Sequence, residues 1–331
     1  MAAAVAIAED ARPPTTDVPP GDQLLMQVIA QLERRDSVVA HLRHQASLDG
    51  RQIAGTGGYW QQGSGDDLRV RLELQVSAAQ ETSLLEVSNG RFLWSDVKLP
   101  TGRSVTRLDL RQLRIDSQQA ATELAAIQPG QATWSPVRPE LTACAGGLPT
   151  LLAAFADSFW FMPPQAMRLK LDPPLVKEPV SLPVFATLGH WRPARLAEIT
   201  AKAAGSKPGG GGKSRRGEGL PSRVPQEVLL IVGQADLFPY RIEYRPVAVP
   251  SSPSAGDATP YQLSAAPLLQ MEFSEVSFNT SIAASQFDYS PGDLQWNDRT
   301  TEQLQKLRHQ RQEGVAASAG TATIAAPTKQ R

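Results

Sequence analysis

Alternation of apolar and polar residues along residues 68–94 is the feature that most constrains the fold of this chain. Its first part carries apolar side chains at every second position: Leu68, Val70, Leu72, Leu74 and Val76. A period of two predicts a strand with one buried face and one solvated face. Residues 83–88 predict a second strand, and Asn89-Gly90 is typical of the tight turn that returns the chain along residues 91–94. These residues therefore predict a three-stranded antiparallel meander with a large apolar face.

The remaining segments predict further strands and two long helices. Helical spacing of apolar residues extends over residues 23–45, and again over residues 148–159. Shorter helices are predicted at residues 118–127, 194–204 and 299–313. Short polar turns separate most of the predicted strands, which indicates antiparallel pairing. We expect one curved antiparallel sheet of roughly eight to eleven strands, with the two long helices on its concave side.

Charge, hydropathy and cysteine content exclude several classes of protein. Lys plus Arg and Asp plus Glu both number 33, whereas proteins that bind nucleic acid usually carry a basic excess. No run of residues approaches the roughly 18 apolar residues needed to cross a bilayer, so no transmembrane segment is predicted. The single cysteine, Cys144, excludes an intramolecular disulfide and a metal site built from several cysteines.

Motifs for catalysis and cofactor binding are absent or incomplete. Residues 212–214 (GKS) resemble the end of a phosphate-binding loop, but Lys207 stands where the motif requires glycine. His41 and His44 are three residues apart, and a metal site would need a third ligand, for which Glu33 and Asp36 are the weak candidates nearby; surface histidines on a solvated helix face are the favoured interpretation. No Gly-x-Ser-x-Gly elbow occurs. We predict no catalytic residue, no metal site and no cofactor, with a hydrolase whose catalytic residues converge from distant positions as an alternative.

Large apolar side chains on the meander and on the second long helix are the candidate ligand-binding residues. A curved sheet with helices on its concave side can enclose an apolar cavity. The sequence leaves open whether that interior is hollow or filled, and a slip of one residue would reverse the face that points inward. The candidates are Leu72, Leu74, Leu85, Val87, Phe92, Trp94, Leu152, Phe155 and Phe159.

The order of these features resembles the LolA-like family of bacterial envelope lipoprotein carriers. An amphipathic helix comes first, then a strand rich in Gly and aromatic residues. The strand–turn–strand segment 84–94 and a C-terminal strand leading into residues 287–292 (FDYSPG) complete the pattern. The likeness covers residues 22–115 and 225–295. It implies a fold that is mainly β with helices (α+β), a curved, incomplete antiparallel β-barrel covered by helices, with acyl chains held in an apolar cavity.

The predicted organisation is a single LolA-like β domain at residues 22–313. Residues 1–21 are expected to be a disordered segment and a possible signal remnant, and residues 314–331 a disordered tail. The middle region, residues 116–225, is an insertion relative to a minimal carrier. It contains a flexible basic loop at residues 206–223.

The resemblance places the protein in the periplasm or cell envelope, with the cytoplasm as the alternative. Residues 2–8 are apolar, but no Lys or Arg precedes them, whereas a secretory signal begins with a basic region. We therefore expect the natural gene to begin upstream of Met1, and the mature chain to begin near Glu9.

The leading functional hypothesis is a non-enzymatic envelope protein that binds an acyl chain or a lipidated partner in an apolar concave cavity. The alternatives are an interaction or scaffold protein with a filled cavity, and the hydrolase mentioned above. A lipid or lipidated protein is the expected partner, nucleic acid is not, and the protein is expected to be a monomer. A cavity of roughly several hundred cubic ångströms would favour the carrier over the scaffold.

Overall fold

A computed structural model of the protein describes residues 20–48, 51–76, 82–127, 146–171, 176, 178–205, 224–246 and 266–309. The helices are α1 (Gly21–Glu33), α2 (Leu110–Ile127), α3 (Gly147–Ser158), α4 (Pro193–Gly205) and α5 (300–309). Two short 3-10 segments lie at Gly65–Asp67 and Ala284–Phe287. The strands are β1 (Ser37–Leu48), β2 (Arg51–Gln62), β3 (Arg69–Val76), β4 (Thr82–Ser88), β5 (Phe92–Leu99), β6 (Gly102–Asp109), β7 (Phe159–Phe161), β8 (Gln165–Leu171), β9 (Val180–Trp191), β10 (Glu227–Gly233), β11 (Pro239–Arg245), β12 (Leu269–Phe278) and β13 (Trp296–Asp298).

All 13 strands belong to one curved, open sheet. The strand order is β13-β6-β5-β4-β3-β2-β1-β12-β11-β10-β9-β7, and β8 pairs with β9 beside this path. Among the described residues, β13 and β6 form the only parallel pair, and the other pairings are antiparallel. The predicted fold class, an incomplete antiparallel barrel with covering helices, is confirmed. The strand number exceeds the predicted range, because β1 and the three-residue strands β7 and β13 gave no separate signal in the sequence.

The meander predicted from the alternating residues is formed by β3, β4 and β5. Each strand pairs antiparallel with the next, and Leu72 lies opposite Glu86. At the turn, the side chain of Asn89 accepts hydrogen bonds from the backbone N–H groups of Arg91 and Phe92. Gly90 has a φ of 89°, a conformation that glycine adopts without steric penalty. The local pattern therefore determines this part of the sheet.

The segment after α1 is a strand, where the sequence predicted the second half of a helix. α1 ends at Glu33, and β1 pairs with β2 on one side and with β12 on the other. Three alternating residues of β1 are buried: Val38, Ala40 and Leu42. The predicted helix over residues 23–45 was wrong beyond residue 33, because pairing with two neighbouring strands outweighs helical spacing.

Helix α2 begins eight residues before the predicted position of 118. β6 ends at Asp109, whose carboxylate accepts a 3.0 Å hydrogen bond from the backbone N–H of Gln112 and so caps the helix. The predicted helices at 148–159 and 194–204 are confirmed as α3 and α4. The predicted basic loop at 206–223, the end segments 1–19 and 314–331, and Cys144 lie outside the described residues.

Helices α1 and α3 pack on the face of the sheet that carries Val38 and Tyr59, called the inner face below. The α1 side chains fully buried in this contact are Leu24, Leu25, Val28 and Leu32. Leu152 and Phe155 of α3 join the same cluster. Complete burial of one leucine side chain contributes about 1.5–3 kcal/mol to the stability of the fold. The contact of α1 and α3 with the inner face buries several such side chains and forms the main hydrophobic core.

A second pair of helices, α2 and α5, packs on the inner face beside β5. Their shared cluster consists of Leu93, Leu110, Leu113, Leu304 and Leu307. An ion pair of 2.7 Å between Arg308 and Asp116 joins the two helices. Leu72 of β3 contacts both this cluster and the main core, so the two helix pairs lie side by side over the sheet.

Residues 279–298, called the strap below, cross the opposite, outer face of the meander. Phe287 is only 1% exposed, and the backbone carbonyl of Gln286 accepts a hydrogen bond from Arg71. Tyr289 and Trp296 both contact the ring of Trp94. The strap ends in β13, which pairs with β6 and leads into α5, so it connects the outer face to the second helix pair.

Candidate functional site: a cavity between the helix pairs

A cavity of about 320 Å³ lies between the two helix pairs, at the end of the inner face where β2 turns into β3. Helices α1 and α3 contribute one side, and α2 and α5 contribute the other. The buried lining residues are Gln61, Leu68, Leu110, Leu113, Pro149 and Leu307. The half-buried or exposed lining residues are Glu33, Gly63, Ser64, Gly65, Arg114, Ser117, Gly146 and Thr150.

Leucine side chains make the buried part of this cavity mainly apolar. Leu110 and Leu113 lie one turn apart on α2, so both point to the same side of the helix. Leu307 approaches from α5, and Leu68 follows the 3-10 turn after β2. Protein interiors are normally packed without voids much larger than a water molecule, so an apolar space of this size is a candidate ligand site.

Gln61 is the polar residue in the buried part of the cavity. Its Oε1 accepts a 2.6 Å hydrogen bond from the hydroxyl of Tyr59 and a 3.3 Å hydrogen bond from the backbone N–H of Leu148. Gly147 has a φ of 65°, and a Cβ at this position would lie 2.4 Å from Gln61 Oε1. Strand β2 is therefore joined to the first turn of α3 through Gln61, at a contact that only glycine permits.

Arg114 and Glu33 bring opposite charges to the cavity. Arg114 Nη1 lies 3.3 Å from the Asp66 carboxylate and donates to the Asp66 backbone carbonyl, also at 3.3 Å. Glu33 is exposed at the C-terminal end of α1. The cavity thus combines an apolar interior with a charged opening, which is the usual composition of a small-molecule site.

The nine residues predicted to bind a ligand divide between the two faces of the sheet. Leu72 and Leu74 lie on the inner face, and Leu152, Phe155 and Phe159 pack in the main core. The cross-strand pairs Glu73–Leu85, Arg71–Val87 and Val87–Trp94 place Leu85, Val87 and Trp94 on the outer face, and alternation places Phe92 there as well. None of the nine lines the cavity between the helix pairs, and their role in ligand binding stays a prediction.

Sequence reasoning missed the residues that do line the cavity, because they come from separate segments. Leu68 belongs to the alternating stretch, yet it lies just before β3 and faces the helices. Alternation over residues 105–110 predicts a strand that includes Leu110, whereas β6 ends at Asp109. The helical spacing of Leu110 and Leu113 is the signal that would have indicated α2. Gln61 gave no signal, since Leu148 and the other cavity residues near it are distant in the chain.

The side chains that line the cavity do not form a familiar catalytic set. They include Ser64, Ser117 and Thr150, but no histidine or cysteine among the described residues. His41 pairs with Glu275 at 3.3 Å, and burial lowers the pKa of His44 on the inner face. No group of three or more His, Cys, Asp or Glu residues in the described part of the chain is placed to hold a metal ion.

Comparisons with known proteins give distant likenesses in fold. No protein-family model matches the chain, and no curated protein sequence matches it significantly. The MucA/MucB complex of Pseudomonas aeruginosa is similar with 8% identity over 81% of this chain and 60% of that chain, at a TM-score of 0.35. A DUF1329 family protein from Desulfovibrio piger has 10% identity over 81% of this chain and 96% of that chain, at a TM-score of 0.32.

A further solved structure, a domain assigned to outer membrane lipoprotein sorting in Vibrio parahaemolyticus, is similar with 10% identity. It covers 81% of this chain and 96% of that chain, at a TM-score of 0.30. These likenesses assign no role to this chain. Within the described residues, no helix has the length and apolar character needed to cross a bilayer.

Proposed function

We propose that this chain is a non-enzymatic binding protein of the cell envelope that takes an acyl chain into the cavity between its helix pairs. The acyl chain belongs to a free lipid or to a lipidated partner protein. The observation that carries this proposal is the partly open space of about 320 Å³ whose apolar part is lined by Leu68, Leu110, Leu113 and Leu307. Its volume lies at the lower end of the range for small-molecule sites, about 300–1,000 Å³.

The size of the cavity indicates how much of a ligand it encloses. A water-sized group takes up about 30 Å³, so the space accommodates about ten methylene groups. Their burial would contribute about 8 kcal/mol before the entropic cost of binding is subtracted. A single chain of medium length therefore suits the cavity better than a lipid with two or three long chains.

The envelope location and the lipidated partner are supported by the LolA-like order of sequence features. Acyl chains are poorly soluble in water, so their movement between membranes requires a protein that shields apolar surface. A monomer with one cavity meets this requirement. Sequencing the N-terminus of the product exported from the full genomic reading frame would test the location, and a protein that remains in the cytosol with Met1 or Ala2 intact would contradict it.

A scaffold protein with a filled interior is the second candidate, and one observation favours it. Beneath α1 and α3 the inner face is fully packed, since Leu24, Leu25, Val28, Leu32 and Leu152 have no exposed surface. The two candidates differ in a measurable way. A carrier retains or takes up lipid, whereas a scaffold binds its partner through an outer surface and leaves the cavity empty of lipid.

Native mass spectrometry after mild purification distinguishes the two candidates. Ser117 is half-buried and lines the cavity, so Ser117→Phe places a ring in the space where the ligand is proposed to bind. We expect this variant to bind acyl chains at least about 10-fold more weakly, since it displaces several methylene groups. The thermal unfolding temperature should change little.

Gln118→Phe is the matched control, because residue 118 is exposed on the same helix and does not line the cavity. It should leave lipid binding unchanged. Equal binding by wild type, Ser117→Phe and Gln118→Phe would show that the ligand lies elsewhere. A protein that carries no lipid and takes none up would favour the scaffold.

A further inference from the structure

The carbonyl oxygen of the Gln61 side-chain amide accepts hydrogen bonds, whereas its NH₂ group has no partner among the described residues. Gln61 is 2% exposed, and both of its hydrogen bonds, from Tyr59 and from Leu148, end on Oε1. Its Nε2 group has no hydrogen-bond partner among the described residues. Among the described residues, the fully buried side-chain atoms without a partner are Arg35 Nη1 and Arg107 Nε, so Gln61 Nε2 keeps some accessible surface. Because Gln61 lines the cavity, this donor can be reached from it.

The orientation of this amide is determined by its neighbours. The Tyr59 hydroxyl oxygen accepts a 3.0 Å hydrogen bond from the backbone N–H of Leu148, so the hydroxyl hydrogen is free to be donated to Gln61 at 2.6 Å. The Gln61 atom that receives it, and that also lies 3.3 Å from the Leu148 nitrogen, is therefore the carbonyl oxygen. Because Gln61 also lines the cavity, its Nε2 donors are the polar atoms that remain for a ligand.

Arg114 contributes further donors at the opening of the cavity. Both of its contacts with Asp66 use Nη1, which leaves Nε and Nη2 without partners among the described residues. The guanidinium carries a permanent positive charge and pairs well with carboxylates. Glu33, the acidic lining residue, is exposed, whereas the Arg114 side chain is 28% exposed. The positive charge of Arg114 and the N–H donors of Gln61 and Arg114 therefore favour a ligand group that accepts hydrogen bonds.

From these contacts we infer that the cavity recognises the oxygen-bearing head of an acyl chain, through the Nε2 donors of Gln61. The inference rests on the proposed function and adds the chemistry of the ligand's head. The recognised atom is a carbonyl-type oxygen, found in a free fatty acid as a carboxylate and in a lipid or lipidated protein as an ester or amide carbonyl. Arg114 adds a preference for the carboxylate. A ligand with only donor groups, such as an alkyl amine, leaves both residues unpaired.

The first test uses the unchanged protein and three ligands of equal chain length: decanoic acid, methyl decanoate and decylamine. Affinity is measured by displacement of a neutral fluorescent naphthylamine probe and by calorimetry. We expect the acid to bind best, the ester less well, and the amine about 10- to 100-fold more weakly than the acid, as the loss of charge-assisted hydrogen bonds predicts.

Each other result has a separate meaning. Equal affinity for the three ligands, or stronger binding of the amine, would overturn the role of Gln61 and Arg114 but leave the acyl-binding function standing. Binding of none of the three would overturn the proposed function, and the inference with it. An ester that binds as well as the acid would support Gln61 and identify an acylated lipid or protein as the source of the ligand.

The second test replaces the donor by a carboxylate of nearly the same shape. In Gln61→Glu a carboxylate oxygen can still accept the bonds from Tyr59 and Leu148, while the N–H groups facing the cavity are lost. At a pH well above the ordinary pKa of glutamate, we expect about 10- to 100-fold weaker binding of decanoic acid, and stronger binding of decylamine, whose ammonium group pairs with the new carboxylate. Weaker binding of the neutral methyl decanoate reports the loss of the donors apart from charge repulsion. Gln62→Glu is the matched control, since residue 62 is the next residue of β2 and does not line the cavity.

Circular dichroism of both variants shows whether they remain folded. If Gln61→Glu does not fold, the ligand series on the unchanged protein decides the question by itself. If it folds and retains the order acid, ester, amine with unchanged affinities, Gln61 does not contact the ligand and the inference is wrong.

Discussion

At the scale of single residues, Arg35 shows how a buried charge joins separate parts of the fold. Its guanidinium lies 3.5 Å from the ring centroid of Phe278 and donates to the backbone carbonyl of Asp236. Burial lowers the pKa of Arg35, and the nearby Asp236 and Tyr240 oppose this shift. Nη1 has no partner among the described residues. The turn between α1 and β1 is thereby attached to the β10–β11 turn and to the end of β12.

We expect Arg35→Lys to lower the free energy of unfolding by about 1–3 kcal/mol. An ammonium group lacks the planar fork and stacks less well on an aromatic ring, and it is more costly to remove from water. Urea unfolding of the variant would measure the change. Arg34→Lys is the control, since Arg34 is exposed, and it should alter stability by less than about 0.5 kcal/mol. Equal stability of the two variants would contradict a structural role for the stacking.

At the scale of elements, the strap is held to the outer face by a hydrogen-bonded cluster around Asp96. The Asp96 carboxylate accepts bonds of 2.8 and 2.5 Å from Arg103 and one of 2.8 Å from the hydroxyl of Tyr289. The hydrogen bond from Arg103 is the main reason why the pKa of Asp96 lies below its usual value. Burial, and then the bond to Asp96, raise the pKa of Tyr289 to about 12, so this hydroxyl remains a donor at neutral pH.

The cluster predicts a pH dependence of stability. The pKa of Asp96 is lower in the folded protein than in the unfolded chain, where it is about 3.9. Its contribution is therefore complete above that pH and is lost as the pH falls through the folded value. We expect Asp96→Asn to destabilise the protein by about 1–3 kcal/mol at neutral pH, and by progressively less in acid. Unfolding curves at several pH values would measure this.

Asp293→Asn, a change at an exposed position of the same strap, should leave the unfolding curves unaltered at every pH. The two variants together separate the cluster from general effects of net charge. A stability difference between wild type and Asp96→Asn that is the same at neutral and acid pH would show that the ionisation of Asp96 does not support the strap.

At the scale of the whole molecule, the cavity lies where the two helix pairs meet, so a ligand there contacts both. A ligand that binds only the folded protein stabilises it by about 2.7 kcal/mol when present at 100 times its dissociation constant. We expect decanoic acid at that excess to raise the thermal unfolding temperature by several degrees. The same excess should leave Ser117→Phe nearly unshifted, and an equal rise in that variant would place the ligand outside the cavity.

Local signals in the sequence determined the meander and several helices. The alternation at residues 68–76 and the Asn89-Gly90 turn act over a few residues, because strand periodicity and turn geometry depend on adjacent side chains. The spacing of Leu148, Leu152 and Phe155 likewise predicted α3. These features led to the correct fold class without any knowledge of distant contacts.

Tertiary structure alone decided which residues meet. Val38 and Leu42 fit either a helix or a strand until β2 and β12 pair on both sides of β1. Register placed Leu72 on the inner face and Trp94 on the outer face, although both belong to one apolar pattern. The cavity gathers Gln61, Leu113 and Leu307 from segments far apart in the chain. Such proximity arises from the packing of whole elements, and no periodicity in the sequence encodes it.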